Sequence, residues 1–323
     1  MAFYSGSLSS CASLATLLTT QCVANGWALS GNWLSKGSSY IEVTSDTYNV
    51  ALKGALDSTG STSPTSQNRT ICLLAGDWPV SYYLFINSSP DTVVLVVQYG
   101  TLFIQHLMFG DIVKIHPLAF TGGNFLSGSS SSSTAGSEGQ NPIPGQTIPR
   151  IYGNVLRSID DNTILTTNND PFDIDVPQSI PFVPGFPFIG NYNTSCAIFH
   201  AEIDGDLWSY TTNITYTAVT NSTYFRCPNL TNAQTTLVPL NLQRSSSSGL
   251  YMYLGYVEHV RLVRVDNYNI GDILTLSPDQ WMIFPWRCKN IAFRNGDSTS
   301  YWSTITLTQT NTGTLGFAVR YTP

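Results

Sequence analysis

Charge is what this sequence has least of. Asp, Glu, Lys and Arg make up 11% of its 323 residues, less than half the usual share of about a quarter. Fourteen Lys and Arg stand against twenty Asp and Glu, for a net charge of −6. A nucleic-acid interface needs a clustered basic face, and cations this few and this scattered argue against DNA or RNA as a partner. Long apolar runs are missing too. Nothing approaches the ~18 apolar residues of a spanning helix, so no membrane insertion is expected. Residues 1–24 lack the basic start and long apolar stretch of a signal peptide. Cys11, Cys22, Cys72, Cys196, Cys227 and Cys288 are far apart and form no CxxC pair. That pattern reads as reduced, buried thiols rather than a disulfide framework. Cys196 and Cys227 are the candidates if one bridge exists.

Recognisable chemistry is equally scarce. His106, His116, His200 and His259 are the only histidines. None forms an HExxH or a Cys/His zinc spacing. GxSxG, P-loop and GxGxxG patterns are all absent. Asp173/Asp175 and Asp204/Asp206 are the two acidic pairs. Asp204-Gly205-Asp206 could be half of a Ca²⁺ site, but an Asp-Gly turn between two short strands explains it with less. Glu202 with an Asp could serve a glycosidase, yet no motif surrounds it. The expectation is a protein that is not an enzyme, with no catalytic residue, no metal and no cofactor.

What the chain does have is a core and a polar surface without charge. Hydrophobic residues reach 42% and aromatics 12%. Interfaces are depleted in charge at their centres and enriched in aromatics, so this composition suits broad contacts with other proteins. Six N-x-S/T sequons, at Asn68, Asn87, Asn193, Asn213, Asn221 and Asn229, follow from abundant Asn, Ser and Thr. A secreted glycoprotein is the reading in which they would be occupied.

Patterning predicts mostly strands. Cys11, Leu14, Leu17, Leu18 and Cys22 recur at helical spacing over 10–25, with Ser9 or Ser10 as cap and Gly26 as stop. Trp27–Leu34 reads as a short hairpin turning at Gly31-Asn32. Tyr40–Val43, Tyr48–Leu52, Ile71–Leu74 and Tyr82–Ile86 follow as strands. Thr92–Tyr99 is apolar on both alternations, the mark of a strand buried on both faces, and is expected at the centre of its sheet. Leu102–Met108 pairs with it, and Gly110 is read as the site of a sharp turn. Residues 127–149 are Ser-, Gly- and Pro-rich and read as a flexible segment. Later strands are expected at Ala197–Ile203, Trp208–Tyr210, His259–Val265, Ile273–Leu276, Trp281–Pro285, Thr304–Leu307 and Gly316–Tyr321.

Two strings carry a resemblance. In residues 76–125, a hydrophobic strand, Asn87, Pro90-Asp91 and a Val-rich strand precede Phe103, His106-Leu107, Phe109-Gly110, Lys114 and Thr121-Gly122-Gly123. In residues 254–290, Asp272, Trp281, Phe284-Pro285-Trp286 and Lys289 follow one another, and Gly316-Phe317-Ala318-Val319 closes the pattern. This sequence resembles virion structural proteins of tailed bacteriophages over roughly half its length. The middle, 126–250, does not take part. The resemblance implies a tail or baseplate subunit in the virion, made in the host cytoplasm, whose partners are other tail proteins and further copies of itself. It implies no catalytic residues.

The combined expectation is an α+β, mainly β protein. A short N-terminal helix packs on an antiparallel sheet in a unit spanning 1–125. A loop-rich insertion follows at 126–249, then a C-terminal β unit at 250–323, whose strands could also complete the first sheet. Interface candidates are His106, Phe109, Trp281, Phe284, Pro285 and Trp286. The competing reading for His106 is a hydrogen-bonded core residue, and for Phe284-Pro285-Trp286 a plain core contact. The alternative function is receptor or host surface glycan binding at the tail periphery, through a Trp/Tyr platform in 181–225.

Overall fold

The computed structural model describes residues 1–60, 68–73, 75–100, 103–115, 119–128, 130–132, 148–151, 155–157, 164–165, 197–201, 208–210, 237–245, 251–265, 268–285 and 315–322. Among them is one α-helix, α1 (Cys11–Ala24); the rest of the regular structure is strand, apart from a 3-10 turn at Ala75–Asp77. The protein is thus α+β and mainly β, with its short N-terminal helix packed on antiparallel strands.

Three layers form the fold. The middle layer is a seven-stranded sheet ordered β1 (Ala2–Leu8), β7 (Val80–Asn87), β8 (Thr92–Tyr99), β9 (Phe103–Asp111), β11 (Gly122–Gly128), β16 (Ala197–Ala201) and β17 (Trp208–Tyr210). One outer layer holds β10 (Val113–Lys114), β19 (Tyr251–Arg264), β22 (Leu315–Tyr321), β21 (Asp279–Pro285) and β20 (Ile273–Leu276), with β18 (Val238–Ser245) also paired to β19. The other outer layer combines α1 with a sheet ordered β12 (Ser130–Ser132), β6 (Asn68–Cys72), β5 (Asn49–Ala55), β4 (Ser39–Ser45), β3 (Trp33–Lys36) and β2 (Ala28–Ser30). A small separate sheet joins β13 (Ile148–Ile151), β14 (Val155–Arg157) and β15 (Ile164–Leu165). Every strand pair is antiparallel.

The double-faced strand predicted at Thr92–Tyr99 is β8, third in the middle sheet. Its side chains split by parity. Val94 and Val96 join Phe85, Ile104, Met108, Phe125 and Phe199 against Val260, Leu262, Phe284 and Phe317 of the second sheet. Val93, Leu95 and Val97 face Leu14, Leu18, Ile41, Val50 and Leu52. Burying each such side chain stabilises the fold by roughly 1.5–3 kcal/mol. The run is apolar at every position because both of its faces meet another layer.

The helix forms where its spacing predicts. Cys11, Leu14, Leu18 and Cys22 are its buried stripe. Ser10 caps it, accepting from the Ser13 amide while the Ser13 hydroxyl accepts from the Ser10 amide. This reciprocal pair satisfies two donors that a helix start leaves open. Gly26, at φ +86°, ends it.

Several expectations need correction. Residue 125 lies inside β11 (Gly122–Gly128). Strands from the expected insertion extend the middle sheet as β16 and β17 and the second sheet as β18. The C-terminal strands build a sheet of their own, and its core is shared with the middle sheet. The segment 127–149 is not wholly irregular. Serine suffices in β12 because an edge strand needs backbone pairing and not apolar side chains, and Ser130–Ser132 pair with Asn68–Thr70. Gly128 lets the chain cross from the middle sheet to the outer one, since a Cβ there would lie 2.8 Å from the Thr70 nitrogen. Residues 133–147 lie outside the described residues, as does Thr304–Leu307. Gly110 makes no turn either. It stands within β9 opposite Thr92, and its φ of +140° brings the Asp111 amide 2.7 Å from the Asp91 carbonyl. A Cβ there would sit 2.1 Å from that oxygen. Glycine is required by close backbone approach.

Candidate functional site

Of the residues singled out by sequence as interface candidates, His106, Phe109, Trp281, Phe284 and Pro285 are buried within the single chain. His106, Phe109 and Phe284 are fully buried. His106 Nε2 lies 3.1 Å from the Ser127 hydroxyl, and its ring meets Phe317 edge-on at 5.7 Å. Burial lowers its pKa to about 3, so the imidazole stays neutral and serves the core. Phe109 packs edge-on to Trp27 at 5.2 Å, under the helix layer. Phe284 stacks on Phe317 at 5.6 Å and meets Tyr83 and Phe85 edge-on. Pro285 is buried within β21 opposite Gly316. Trp281 lies on the outer face of the second sheet with Val263, Val265, Ile283 and Ala318, and the Arg261 guanidinium roofs its ring at 5.2 Å. Large aromatics were read as docking groups because sequence does not distinguish a contact between layers of one chain from a contact between chains. Trp286 lies outside the described residues.

Much of the expected Trp/Tyr platform at 181–225 also lies outside them, as do Asp173, Asp175, Asp204 and Asp206. Trp208 is described. It packs against the middle layer core, so close to Gly54 that a Cβ there would be 2.7 Å from its ring. Among the described residues, no three His, Cys, Asp or Glu side chains are placed to share a metal ion.

Two features of the surface stand out. The first is a pair of sheet edges. β1 ends the middle sheet, with β7 as its partner over seven consecutive pairs from Ala2↔Ile86 to Leu8↔Val80. β20 ends the second sheet, paired to β21. The two sheets face each other here: Phe3 of β1 meets Tyr321 of β22 at 5.0 Å and Tyr83 of β7 meets Phe284 of β21 at 5.2 Å, and Met1, just before β1, lines one cavity with Thr275 of β20. β1 reads AFYSGSL and β20 reads ILTL, without a charge or proline in either. Natural edges are ordinarily blunted by Lys, Pro or bulges. Ile273 and Leu276 of β20 are among the exposed large hydrophobics, as is neighbouring Met1.

The second feature is a cavity of about 460 Å³ at one end of the two sheets. Asn87 and Ser88 from the β7–β8 turn, His259 from β19, Thr275–Gln280 around the β20–β21 turn, and the end of β22 enclose it. Asn87 and His259 are 3% and 5% exposed. Asn87 Nδ2 has no hydrogen-bond partner, and neither His259 ring nitrogen makes a hydrogen bond of ordinary geometry. The Pro90 carbonyl faces the His259 ring and favours its proton, but burial, with Arg320 after it, moves the pKa downward overall. Arg320 on the cavity wall pairs with Asp279, and its other terminal nitrogen lies 3.9 Å from Glu258. Ser89, in the adjoining turn, holds φ +62°, an uncommon conformation for a residue with a Cβ. Sequence reading missed this site. Its walls come from near residues 1, 87, 259, 275–280 and 320–322, too far apart for any local spacing to signal.

Compared with protein-family models and with curated proteins, the chain matches none.

Proposed function

We propose that this protein is a structural subunit of a tailed-phage virion, in the tail or baseplate, that works by assembly with itself and with other tail proteins. The observation that carries the assembly reading is the pair of sheet edges β1 and β20. Two uncharged edges of different sheets, with Met1, Ile273 and Leu276 exposed beside them, offer main-chain groups and apolar area. Strand addition to such an edge is a common way for proteins to join. The three-layer core supports the reading, because it gives the edges a rigid backing. The resemblance of residues 76–125 and 254–290 to phage virion proteins supplies the setting.

The test locates the chain in purified particles by cryo-electron microscopy and measures its self-association by sedimentation. Density in repeated copies, with β1 or β20 against a neighbour, is the expected result. Ser5→Lys and Ser7→Lys place charge on exposed positions of β1 and are expected to abolish the contact while leaving the thermal midpoint unchanged. Absence of the chain from every particle would sink the virion reading. A monomer whose β1 and β20 both face solvent in the particle would sink the edge as its means of assembly.

A further inference from the structure

Asn87 and His259 present a problem that the assembly reading does not solve. Buried polar groups ordinarily have partners, and leaving one without is destabilising. Both side chains reach the same cavity with hydrogen-bonding capacity unspent. Its volume of about 460 Å³ falls within the ~300–1,000 Å³ of small-molecule sites.

The lining limits what can enter. Thr275, Ser277, Gln280, Asn87 and His259 bring hydrogen-bonding groups to its wall beside apolar Met1 and Pro278. Arg320 is answered by Asp279 and approached by Glu258, so no uncompensated cation awaits a phosphate or carboxylate. Asp279, the one carboxylate on the wall, is held by Arg320, which leaves a metal ion without its anionic ligands. A neutral ligand that both donates and accepts hydrogen bonds remains. Asn87 Nδ2 donates. Neutral His259, whose N–H faces the Pro90 carbonyl, can accept at its other nitrogen. The hydroxyls of Thr275 and Ser277 and the amide of Gln280 do both. Half-exposed Tyr321, fixed edge-on against Phe3 at 5.0 Å, adds an aromatic surface to the wall.

We propose that this cavity binds a neutral saccharide. Adjacent sugar hydroxyls each donate and accept, which matches the mixed set around Asn87, His259, Thr275 and Gln280. The C–H face of a sugar ring suits Tyr321. An extended peptide fits less well, because the unspent groups here belong to side chains and not to a strand's main chain. This inference is independent of the virion reading, and assembly is scored by sedimentation, not by ligand binding.

Saturation-transfer NMR on the full chain tests it, with methyl α-glucoside, N-acetylglucosamine, maltose and chitobiose as probes. At least one is expected to bind with an affinity on the order of millimolar or tighter. Thr275→Trp, built on an exposed position of edge strand β20, fills the cavity without touching the core. It is expected to abolish the signal at an unchanged thermal midpoint. Asn87→Leu removes the unpaired amide and is expected to weaken binding about tenfold, the size of one hydrogen bond. No transfer to any probe would overturn the proposal. Transfer that survives Thr275→Trp would overturn the site. A peptide copying residues 2–8 that binds in a Thr275→Trp-sensitive way, with no saccharide binding, would replace the sugar with a strand.

Discussion

The two faces of the middle sheet are built by different means. Toward the second sheet the packing is aromatic: Phe85, Phe125, Phe199, Phe284 and Phe317 interlock, with Phe3, Tyr83 and Tyr321 at the margin. Toward the helix and the first sheet it is mostly aliphatic, with Leu14, Leu18, Leu52, Ile71, Leu84 and Leu95 predominating. Each side also takes polar inserts. On the aromatic side His106 pairs with Ser127, and burial keeps the ring neutral. At the edge of the aliphatic side, Asp111 accepts from the Ser39 hydroxyl and the Asn124 amide, both at 2.8 Å. Burial raises its pKa, the Ser39 hydrogen bond opposes the rise, and nearby Asp91 adds to it. The difference teaches that one strand can serve two unlike layers, because its two parities are independent sets of side chains.

Removing one large side chain from each face gives the largest expected effect. Phe284→Ala should cost about 3–5 kcal/mol and Leu18→Ala about 2–5 kcal/mol, measured by urea unfolding. If the aromatic face packs the more tightly, Phe284→Ala is the larger loss. Equal losses would show that the helix layer is as well packed, and the comparison would reduce to composition.

The polar inserts sharpen it through pH. Unfolded His titrates near ~6.5, but folded His106 near about 3. Between those values the unfolded chain binds the extra proton, so this contribution is complete above the upper value and is lost as pH falls toward the lower one. His259 shifts in the same direction. Asp111 has the opposite sign. Its raised folded pKa gives stability that is present below the unfolded value and lost as pH rises through the folded one. His106→Gln should therefore flatten the acid limb of urea midpoint against pH, and Asp111→Asn should steepen the rise above the ordinary carboxylate range. A His106→Gln curve parallel to the parent would mean that the aromatic face is wetter than its packing indicates.

The smallest effect belongs to the end of the helix. Ser10→Ala removes half of the reciprocal cap and should cost about 1 kcal/mol by thermal or urea unfolding. A loss well above that would assign Ser10 a part in docking the helix on its layer, beyond starting it.

Local signals were legible where the side chains of one element carry the whole message. Cys11 to Cys22 marked the helix, and the run Thr92–Tyr99 marked a strand buried on both faces with its bounds, though it stands third of seven and not at the centre. β1 escaped notice because AFYSGSL is half-exposed and polar over its Ser-Gly-Ser, so its only reason to be a strand is the register it keeps with β7. The aromatic candidates were visible as residues that must be covered, but not by what. Phe284 and Phe109 are covered by neighbouring layers of their own chain.

The sequence by itself determined that this chain is β-rich, starts with one capped helix, contains a strand buried on both faces and carries little charge. Each of these is a property of composition or of a run of neighbours, where periodicity acts over a few residues. Tertiary structure decided the three layers, which strands (β1 and β20) end their sheets, and the cavity holding Asn87 and His259. Those features join residues hundreds of positions apart, and it is packing between sheets, not periodicity within a strand, that brings them together.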